Sequence, residues 1–380
     1  GADIDSVCGG RGICGRCQIT PSFGSFSKWG IEAVESSLSE RSEGEIKYKG
    51  KRALAEGNRL GCMAKVCGDM VIDVPAMSQV HRQIVRKDLD LGVIVVDPTF
   101  SLFYIAVTPS ELGADVTASQ VIRDAIAQQH NIARPTISNT ALAQVNRAID
   151  KGDGGATIAI KRSEVDGVAG NIVAAWPGFV DTMFGIAIDI GSTTVAGHLI
   201  DLTTGEVMSS SGVMNPQIRF GEDLMSRVSY VMMNKGGEKE LTTVIRNAIN
   251  ELVHELADKA DITPDKILEV VMVGNPIMHH ILLGIDPTPL GAAPFVLATS
   301  EATFGAAEEL DIHLPNASFY VGPCIAGHVG ADTAAAILSE GPHRGSSMQL
   351  LIDVGTNAEI VLGDTTRQFA ASSPTGPAFE

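Results

Sequence analysis

The chain has 380 residues, which is enough for two or three domains with at least one large core and too long for a single small module. A hydrophobic fraction of 44%, a charged fraction of 19% and 40 glycines indicate a folded α/β-type chain and exclude a disordered or fibrous protein. The net charge of −17 disfavours general attraction to nucleic acid or to anionic lipid.

The charge is unevenly distributed along the chain. Residues 1–85 contain 11 Lys/Arg and 10 Asp/Glu, whereas the remaining residues contain 17 and 35. The first segment is therefore predicted to be a separate unit with its own surface. No apolar stretch is long enough to span a membrane, and no secretory signal is visible. The start at Gly1 and the end at Glu380, within a Pro/Gly-rich segment, suggest a fragment cut at both ends.

Five of the six cysteines lie within the first 67 residues. Four of them follow the spacing Cys8-x5-Cys14-x2-Cys17 and then Cys62, which is close to the plant-type ferredoxin pattern for a [2Fe–2S] cluster. Four glycines between Cys8 and Cys17 let backbone N–H groups turn toward sulfide and thiolate, and two arginines offset the negative charge of a cluster. The sequence therefore predicts a [2Fe–2S] site.

Two other uses of these cysteines stay open. Structural zinc sites usually place their ligands in two closely spaced pairs, which this spacing fits poorly. Disulfides need an oxidising compartment, which nothing in the sequence suggests. Cys62 is preferred to Cys67 as the fourth ligand because the ferredoxin family pattern, which this chain resembles here, places that cysteine after an Arg-Leu-small step. Cys67 is then expected to be a buried or partly exposed thiol and Cys324 a core residue.

The first domain is predicted to end near residue 77, because a strand at Val71–Val74 is closed by Pro75. A charged linker at 78–92 and a middle domain at 93–181 follow. The expected elements of this part are strands at Leu91–Val96, Leu102–Val107, Ala156–Lys161 and Ile172–Ala175 and helices at Thr117–His130 and Asn139–Lys151. This block has no metal-ligand or nucleophile pattern, and a spacer or docking role is predicted.

A strand ending in Asp189 is followed by a tight acidic turn and a second strand. Gly191 permits close backbone approach, and the hydroxyl and N–H groups of Ser192, Thr193 and Thr194 can meet phosphate oxygens. Asp189 would hold Mg²⁺ directly or through water. This hairpin is interpreted as a phosphate-binding loop.

The same design recurs about 160 residues later, where an apolar strand delivers Asp353 to a turn containing Gly355, Thr356 and Asn357. Between the two hairpins lie a strand that leads into a helix and an Ala-rich helix at Asp332–Leu338. This order is typical of the actin, Hsp70 and sugar-kinase superfamily, whose two halves close on ATP. An actin-like ATPase domain at 182–380 is therefore predicted, with Asp189 and Asp353 as its catalytic carboxylates.

Three further residue sets have weaker interpretations. A sugar kinase would need a carboxylate base; Asp223, Asp332 and Glu359 are available, but none is singled out by its sequence context. His279 and His280 are expected to be core or surface residues that point in different directions on a helix. Two amphipathic helices are expected at Gly221–Met233 and Lys239–Ala260, and three methionines of the first are expected to be core residues, namely Met225, Met232 and Met233.

Taken together, the motifs resemble those of the ATP-dependent reductive activators of corrinoid proteins. Besides the cysteines and the two hairpins, the resemblance rests on four stretches: Met214–Gln217 with Phe220–Asp223, Gly274–His280 with Leu283–Ile285, Gly327–Thr333, and Gly376–Glu380. It covers nearly the whole chain. Two departures are that only seven residues precede Cys8 and that the chain ends 27 residues after Asp353.

The resemblance implies a multidomain α/β and α+β fold. Its parts would be an incomplete β-grasp, plant-type ferredoxin-like domain, an α/β middle domain and an actin-like, ribonuclease H-like ATPase domain. The implied cofactors are a [2Fe–2S] cluster, ATP and Mg²⁺, and the implied partners are a corrinoid methyl-carrier protein and an upstream electron donor. A cytoplasmic location and a homodimer also follow from the likeness.

The implied activity is reductive reactivation, in which one electron passes from the cluster to Co(II) and regenerates Co(I). ATP would favour the state in which cobalt accepts the electron. The alternatives are an actin-like phosphotransferase and a nucleotide-gated redox switch that carries an electron-transfer domain. Dehydratase activators also couple ATP to electron delivery, but they share a [4Fe–4S] cluster between subunits, and the clustered cysteines of this chain argue against them.

Overall fold

The architecture was obtained as a computed structural model. It describes residues 4, 12, 15–52, 54–75, 78, 95–108, 116–133, 135–163, 170–221, 223–355 and 357–375. Among the predicted site residues, Cys8, Cys14 and Thr356 lie outside the described residues.

The N-terminal part is a small three-stranded sheet with a separate hairpin and one short helix. Its elements are β1 (Gln18–Ser22), β2 (Gly24–Phe26), β3 (Ile31–Ala33), α1 (Glu43–Lys49), β4 (Arg59–Leu60) and β5 (Val71–Asp73). The sheet has the order β4-β1-β5 with antiparallel pairing, and β2 pairs with β3. The strand predicted at Val71–Val74 is confirmed as β5.

Helix α1 is fixed at its start by a capping box. The Ser42 hydroxyl accepts from the Glu45 N–H at 3.3 Å, and the Glu45 carboxylate accepts from the Ser42 N–H at 3.1 Å. On the inner face, Tyr48 packs in a small apolar cluster with Cys17, Leu54 and Leu60. The helix thereby attaches to the strand that follows Cys17.

The middle part is a four-stranded sheet covered by two helices. Its elements are β6 (Phe100–Ala106), α2 (Ala118–His130), β7 (Thr136–Ile137), α3 (Asn139–Lys151), β8 (Gly155–Lys161) and β9 (Asn171–Pro177). The strand order is β6-β8-β9-β7. Both predicted helices and the strands that overlap β6, β8 and β9 are confirmed. In the strand predicted at Leu91–Val96, only the last two residues are described, and they lie outside any strand.

The C-terminal part begins with a six-stranded sheet and ends with a three-stranded one. Its elements are β10 (Phe184–Ile190), β11 (Thr194–Asp201), β12 (Val207–Met214), α4 (Leu224–Met233), α5 (Gly237–Lys259), β13 (Ile267–Gly274), α6 (Pro276–Leu283), β14 (Thr303–Ala306), β15 (Ser318–Val321), α7 (Ala331–Glu340), β16 (Gln349–Val354), β17 (Asn357–Gly363) and β18 (Gln368–Pro374). The first sheet has the order β12-β11-β10-β13-β15-β14, and the second has the order β16-β17-β18.

The two sheets of this part start with the same motif. Strands β10, β11 and β12 form an antiparallel meander, and so do β16, β17 and β18. Asp189 is the next-to-last residue of β10, and Asp353 is the next-to-last residue of β16. The internal duplication predicted from the sequence is confirmed at the level of strand pairing.

The middle and C-terminal parts share an apolar cluster. Phe100, Trp176 and Leu268 pack within it, and Trp176 Nε1 donates to Asp265 at 2.7 Å. Lys161 Nζ also lies 2.7 Å from the Ser318 hydroxyl. These contacts join the face of the middle sheet opposite α2 and α3 to the start of β13.

Three side-chain predictions require correction. Met225, Met232 and Met233 are exposed, at 43%, 70% and 77%, because only one face of α4 is covered. His279 and His280 are core residues as expected, but their Nδ1 atoms lie 3.4 Å apart, so the rings do meet. Cys67 is exposed, whereas Cys324 is buried as predicted. Among the described helices, none is long and apolar enough to cross a bilayer.

Candidate nucleotide and cluster sites

The first phosphate-type loop joins β10 to β11. Its turn is tight, since a Cβ added to Gly191 would lie 2.6 Å from the Thr194 carbonyl oxygen. Ser192 is buried, and Gly191, Thr193 and Thr194 are half-buried. Asp189 pairs with Ala196 across the hairpin, and its side chain remains accessible to solvent. One carboxylate and a polar turn therefore lie together at the end of β10.

Two fully buried side chains donate hydrogen bonds to this loop from the core side. Asn215 Nδ2 donates to the Gly191 carbonyl at 2.8 Å, and the Asn215 N–H donates to the Thr193 carbonyl at 2.7 Å. The Arg227 guanidinium donates to the Ser192 carbonyl and to the Gly221 carbonyl, the latter at 3.1 Å. Because these donors hold the loop carbonyls on the core side, the loop keeps one fixed conformation.

The second phosphate-type loop joins β16 to β17. The Gly355 N–H donates to the Asn357 carbonyl at 2.8 Å, and the Thr375 hydroxyl donates to the Gly355 carbonyl. Asp353 pairs directly with Glu359 on β17. This loop thus presents two carboxylates, of which Asp353 and not Glu359 was assigned a site role from the sequence.

The first sheet brings several chain segments to the edge that carries Asp189. Strands β10, β13 and β15 are parallel, so their carboxyl ends meet at one edge. Gly330 precedes α7 at this edge, where a Cβ would lie 2.5 Å from the Gly274 carbonyl oxygen. Asp332 lies in the first turn of α7, directly after this contact.

The carboxyl groups near the two phosphate-type loops influence one another electrostatically. Asp189 keeps access to solvent but is crowded by protein atoms, and this partial loss of water, followed by the charges of Asp332 and Asp353, raises the pKa of Asp189 to about 7. Burial is also the largest cause of the raised pKa of Asp332, to which Asp353 contributes. The pKa of Glu359 is raised by burial and by the same two neighbours. A cation near these like-charged groups would relieve their repulsion, although no three of them lie close enough to coordinate one metal ion directly.

The second candidate centre lies in the N-terminal part. The Sγ atoms of Cys17 and Cys62 are 3.2 Å apart, which is too long for a disulfide bond and short enough for two ligands of one centre. The hydrogen bond with Cys62 lowers the pKa of Cys17 to about 6 despite the opposing effect of burial. Cys17 is therefore readily deprotonated, as a metal-binding thiolate must be.

A buried ion pair fixes the turn that carries Cys62. Arg59 Nε donates to Glu45 Oε1 at 2.8 Å, and the Leu60 N–H donates to the same oxygen at 3.1 Å. Burial would raise the pKa of Glu45, but the hydrogen bonds from Arg59, Ser42 and Leu60 lower it overall. The Gly61 N–H then donates to the Cys17 carbonyl at 2.7 Å, which ties the two cysteine-bearing segments together.

Part of the predicted ligand set falls outside this geometry. Cys8 and Cys14 belong to the residues that the structure does not describe, so the four-thiolate set remains a prediction. Over the described ranges, no three His, Cys, Asp or Glu side chains are grouped closely enough to hold a metal ion. Cys67 is exposed and Cys324 is buried, and neither lies within hydrogen-bonding contact of the Cys17–Cys62 pair.

Comparisons with known proteins bear on both centres. Residues 184–345 match a family model described as the RACo middle region, and residues 347–380 match one described as the C-terminal domain of RACo, the ASKHA domain. The two matches together span slightly more than half of the chain. The chain belongs to the RACo family. The actin-like fold predicted for the C-terminal part is confirmed, whereas the ferredoxin-like fold and the domain boundaries remain predictions.

Two curated relatives share about half of this RACo-family chain. It is 36% identical over 200 residues to the corrinoid activation enzyme RamQ of Eubacterium limosum, a match that covers 52% of this chain and 33% of that protein. It is 27% identical over 208 residues to the [Co(II) methylated amine-specific corrinoid protein] reductase of Methanosarcina barkeri, covering 52% and 37%. The chain thus spans about a third of the length of these relatives.

One solved structure is similar along the entire chain. It is described as the reductive activator for corrinoid, iron-sulfur protein, and it superposes with a TM-score of 0.66 at 28% sequence identity. The match covers 100% of this chain and 60% of that structure. The similarity therefore extends to the N-terminal and middle parts of the RACo-family chain.

Sequence reasoning assigned no site role to three residues of the candidate nucleotide site. Asp332 and Glu359 were noted as available carboxylates only, although the Gly330–Thr333 stretch places an acid in the first turn of a helix. Arg227 was missed, and its signal is a lone cation within the apolar sequence of α4. A buried position for that cation requires polar partners, which the loop carbonyls supply.

Proposed function

We propose that the protein to which this chain belongs is an ATP-dependent reductive activator of a corrinoid protein. It would return one electron from a [2Fe–2S] cluster to cobalt. The observation that carries the proposal is the pairing of two separate centres on one chain: coupled carboxylates between two phosphate-type loops, and two thiols 3.2 Å apart. The names of the relatives, which include a corrinoid activation enzyme and a Co(II) corrinoid protein reductase, support the same activity.

The carboxylate recess fits Mg²⁺ and a nucleoside triphosphate. Mg²⁺ usually keeps several waters and takes one or two carboxylates besides the substrate phosphates, so Asp189 and Asp353 would suffice without a site of three protein carboxylates. The loop at Gly191–Thr194 and the loop at Gly355–Asn357 would bind the phosphates through N–H and hydroxyl groups. Because Asn215 and Arg227 already hold the first loop, little conformational entropy would be lost when the phosphates bind.

The thiol pair fits a thiolate-bound cluster. Cys17 and Cys62 would be two of its ligands, with Cys8 and Cys14 as the others, and Gly61 and the Glu45–Arg59 pair keep the Cys62 turn in place. When bound, the cluster supplies a single electron that reduces the partner's Co(II) to Co(I), while the cluster itself is oxidised by one electron. The chain's task is to hold the two thiols at a fixed separation and to limit water around them.

ATP can act on this reaction only through a difference in affinity between two states of the protein. The two centres belong to different sheets, so the nucleotide does not touch the thiols. In the proposed cycle, closure of the two loops on ATP stabilises the conformation, or the complex with the corrinoid protein, in which cobalt accepts the electron. A shift from a minor to a dominant state requires an affinity ratio on the order of 10⁴.

The test uses the full-length protein with its cluster and a Co(II) corrinoid protein, and it follows Co(I) formation by absorbance with and without ATP. We expect Asp353→Asn to lower ATP-dependent Co(I) formation at least about 100-fold while the cluster spectrum stays intact, because one phosphate-loop carboxylate is lost. Cys62→Ser should abolish electron transfer but leave ATP binding in place. Asp364→Asn, an exposed carboxylate beyond β17, is the matched control.

Two results would contradict the proposal. Equal Co(I) formation with and without ATP would remove the nucleotide from the mechanism. ATP-dependent phosphorylation of a small acceptor that persists in Cys62→Ser would instead favour a phosphotransferase, with Asp332 as the candidate base.

A further inference from the structure

The end of helix α1 carries an exposed basic surface. Lys47, Lys49 and Lys51 are exposed, and we call these three lysines the basic patch. Arg52, which is also exposed, follows directly, and no acidic residue occurs between Glu45 and Glu56. Four cations within six residues stand out in a chain whose net charge is −17. The patch is thus a local positive surface on a chain that is negatively charged overall.

The basic patch lies on the solvent-facing side of helix α1 and the residues just after it, and the inner side of this helix packs against the apolar cluster around Cys17. Tyr48, between Lys47 and Lys49, is buried in the apolar cluster that contains Cys17. A Cβ on Gly15, two residues before Cys17, would lie 1.9 Å from the Tyr48 hydroxyl oxygen, so the ring reaches the cysteine loop itself. The N–H groups of residues 51 and 52 both donate to the Tyr48 carbonyl at 2.9 Å. The lysines therefore surround the residue that contacts the cysteine loop.

The charges of the patch are available to a partner. In the described part of the chain, none of the three lysines forms an ion pair. Ile46 is 60% exposed, and helical geometry places it between Lys47 and Lys49, opposite Tyr48. Glu43 is the one carboxylate on this exposed face, a turn closer to the helix start. An apolar centre with charged neighbours is the usual composition of a protein-binding surface.

We propose that the basic patch is the docking surface for an acidic electron-donor protein that reduces the cluster. This inference rests on the proposed function, because it assumes a cluster at Cys17 and Cys62. Charge complementarity selects an acidic partner. The donor is favoured over the corrinoid acceptor because the acceptor must be engaged in a state that the nucleotide selects, whereas the patch belongs to the N-terminal part and shares no element with the phosphate-type loops.

The step itself is a single electron exchange. The donor is oxidised by one electron and the cluster is reduced by one, and no bond forms or breaks. Complementary charge raises the encounter rate of such transient complexes by about 10- to 1,000-fold at low ionic strength, and salt removes the effect. Docking beside the cysteine loop also shortens the distance that the electron must cross.

The test measures the rate of electron transfer between a probe and the cluster by stopped flow, with the full-length, cluster-loaded protein. For each probe, the transfer is started in its thermodynamically favourable direction. One probe is an acidic plant-type [2Fe–2S] ferredoxin, and the other is methyl viologen, whose radical is a small cation. The test variant replaces the patch by Lys47→Gln, Lys49→Gln and Lys51→Gln. The matched control replaces three exposed lysines outside the N-terminal part, by Lys151→Gln, Lys235→Gln and Lys239→Gln.

We expect the patch variant to slow exchange with ferredoxin by about 10- to 100-fold at low salt and to flatten its salt dependence. Exchange with methyl viologen should be unchanged or faster, and the control variant should behave as the unmodified protein. An equal loss in both lysine variants, or no loss in the patch variant, overturns the inference. So does a variant that slows only the oxidation of the reduced cluster by the corrinoid protein. Failure of methyl viologen to exchange electrons with the unmodified protein would instead contradict the proposed function.

Discussion

At the residue scale, Arg227 is the side chain that most strongly constrains the first phosphate-type loop. It is fully buried, and besides its two carbonyl partners it contacts Gln217 Oε1 at 3.3 Å and Met278 Sδ at 3.2 Å. A buried guanidinium is costly unless its donors are satisfied, so its presence beneath a loop that would bind phosphate calls for a functional explanation. Its planar set of donors reaches several acceptors at once, which lysine cannot do.

Substitutions of Arg227 should therefore distinguish the effect of its hydrogen-bond donors on the loop from the effect of its positive charge. Arg227→Lys keeps the charge but loses part of the donor set, and we expect about 10-fold weaker ATP binding with a modest loss of stability. Arg227→Met leaves several buried acceptors unpaired and should lower the free energy of unfolding by roughly 3 kcal/mol. ATP titration and urea unfolding of the full-length protein measure these effects. Arg147→Met, on the exposed side of α3, is the control. Undiminished ATP affinity in Arg227→Lys would show that the loop does not depend on the donor set.

A second residue-scale consequence concerns pH. Burial and the adjacent His280 lower the pKa of His279 to about 4, so this imidazole is neutral in the folded protein. In the unfolded chain it takes up a proton near pH 6.5, which means that the unfolded state binds more protons between pH 6.5 and 4. The contribution of His279 to stability is therefore fully present above pH 6.5 and is lost as the pH falls toward 4.

We expect His279→Gln to reduce the slope of unfolding free energy against pH in this window, with a total difference of up to about 3 kcal/mol. Denaturant unfolding at several pH values measures it. The exposed His254, replaced by glutamine, should leave the slope unchanged. Parallel curves for His279→Gln and the unmodified protein would rule out this histidine as the source.

At the scale of elements, the two phosphate-type hairpins share one design but differ in how tightly their turns are packed. A Cβ on Gly191 would meet the Thr194 carbonyl oxygen at 2.6 Å, whereas a Cβ on Gly355 would lie 3.7 Å from the nearest atom, the Asn357 carbonyl oxygen. The first distance is far inside ordinary contact, and the second is normal packing. The first turn thus requires glycine for the fold itself, and the second does not.

Alanine at each turn tests this difference without any ligand. Gly191→Ala should lower the free energy of unfolding by about 1–3 kcal/mol, because the backbone must shift to remove the clash. Gly355→Ala should change it by no more than about 0.5 kcal/mol and serves as the control. Chemical unfolding in the absence of nucleotide is the measurement. Equal losses at both positions would mean that the packing difference has no energetic effect.

The elements also show how far the sequence could predict the structure. Helix α3 was predicted from residue 139 to 151, as observed, because its apolar residues repeat with helical spacing. The hairpin carboxylates were found because each lies near the end of a strand with an apolar sequence. Met232 was wrongly assigned to the core, since periodicity shows which face is apolar but not whether a neighbour covers it. The partners of Arg227 lie up to 51 residues away in sequence, so local pattern could not reveal its role.

At the scale of the whole molecule, the middle sheet and the six-stranded sheet form a continuous body. The apolar cluster around Trp176 contains residues of both, and three hydrogen bonds reinforce it: Trp176 to Asp265, Lys161 to Ser318 and Gln144 to Asn316, each at 2.7 Å. Such an interface combines apolar burial with paired polar groups. We expect the two parts to unfold together rather than in sequence.

The chain's two tryptophans provide a matched test of this expectation. Trp176 is 7% exposed at the interface, and Trp29 is 60% exposed on the β2–β3 hairpin. Trp176→Ala should lower the free energy of unfolding by about 3–5 kcal/mol and should split one thermal transition into two. Trp29→Ala should change stability by less than about 0.5 kcal/mol. Calorimetry of both variants is the measurement, and a single unshifted transition in Trp176→Ala would contradict a shared body.

Strand β13 connects the two ends of this body. Its second residue, Leu268, is fully buried in the cluster with Trp176, and its last residue, Gly274, packs against the loop that leads into α7 and Asp332. Eight extended residues span about 26 Å and stretch very little. If the strand tilts as a rigid unit by a few degrees at its carboxylate end, its other end moves by about 1 Å or more. A rearrangement around a bound triphosphate would therefore displace Leu268, the β13 residue that packs against the middle sheet.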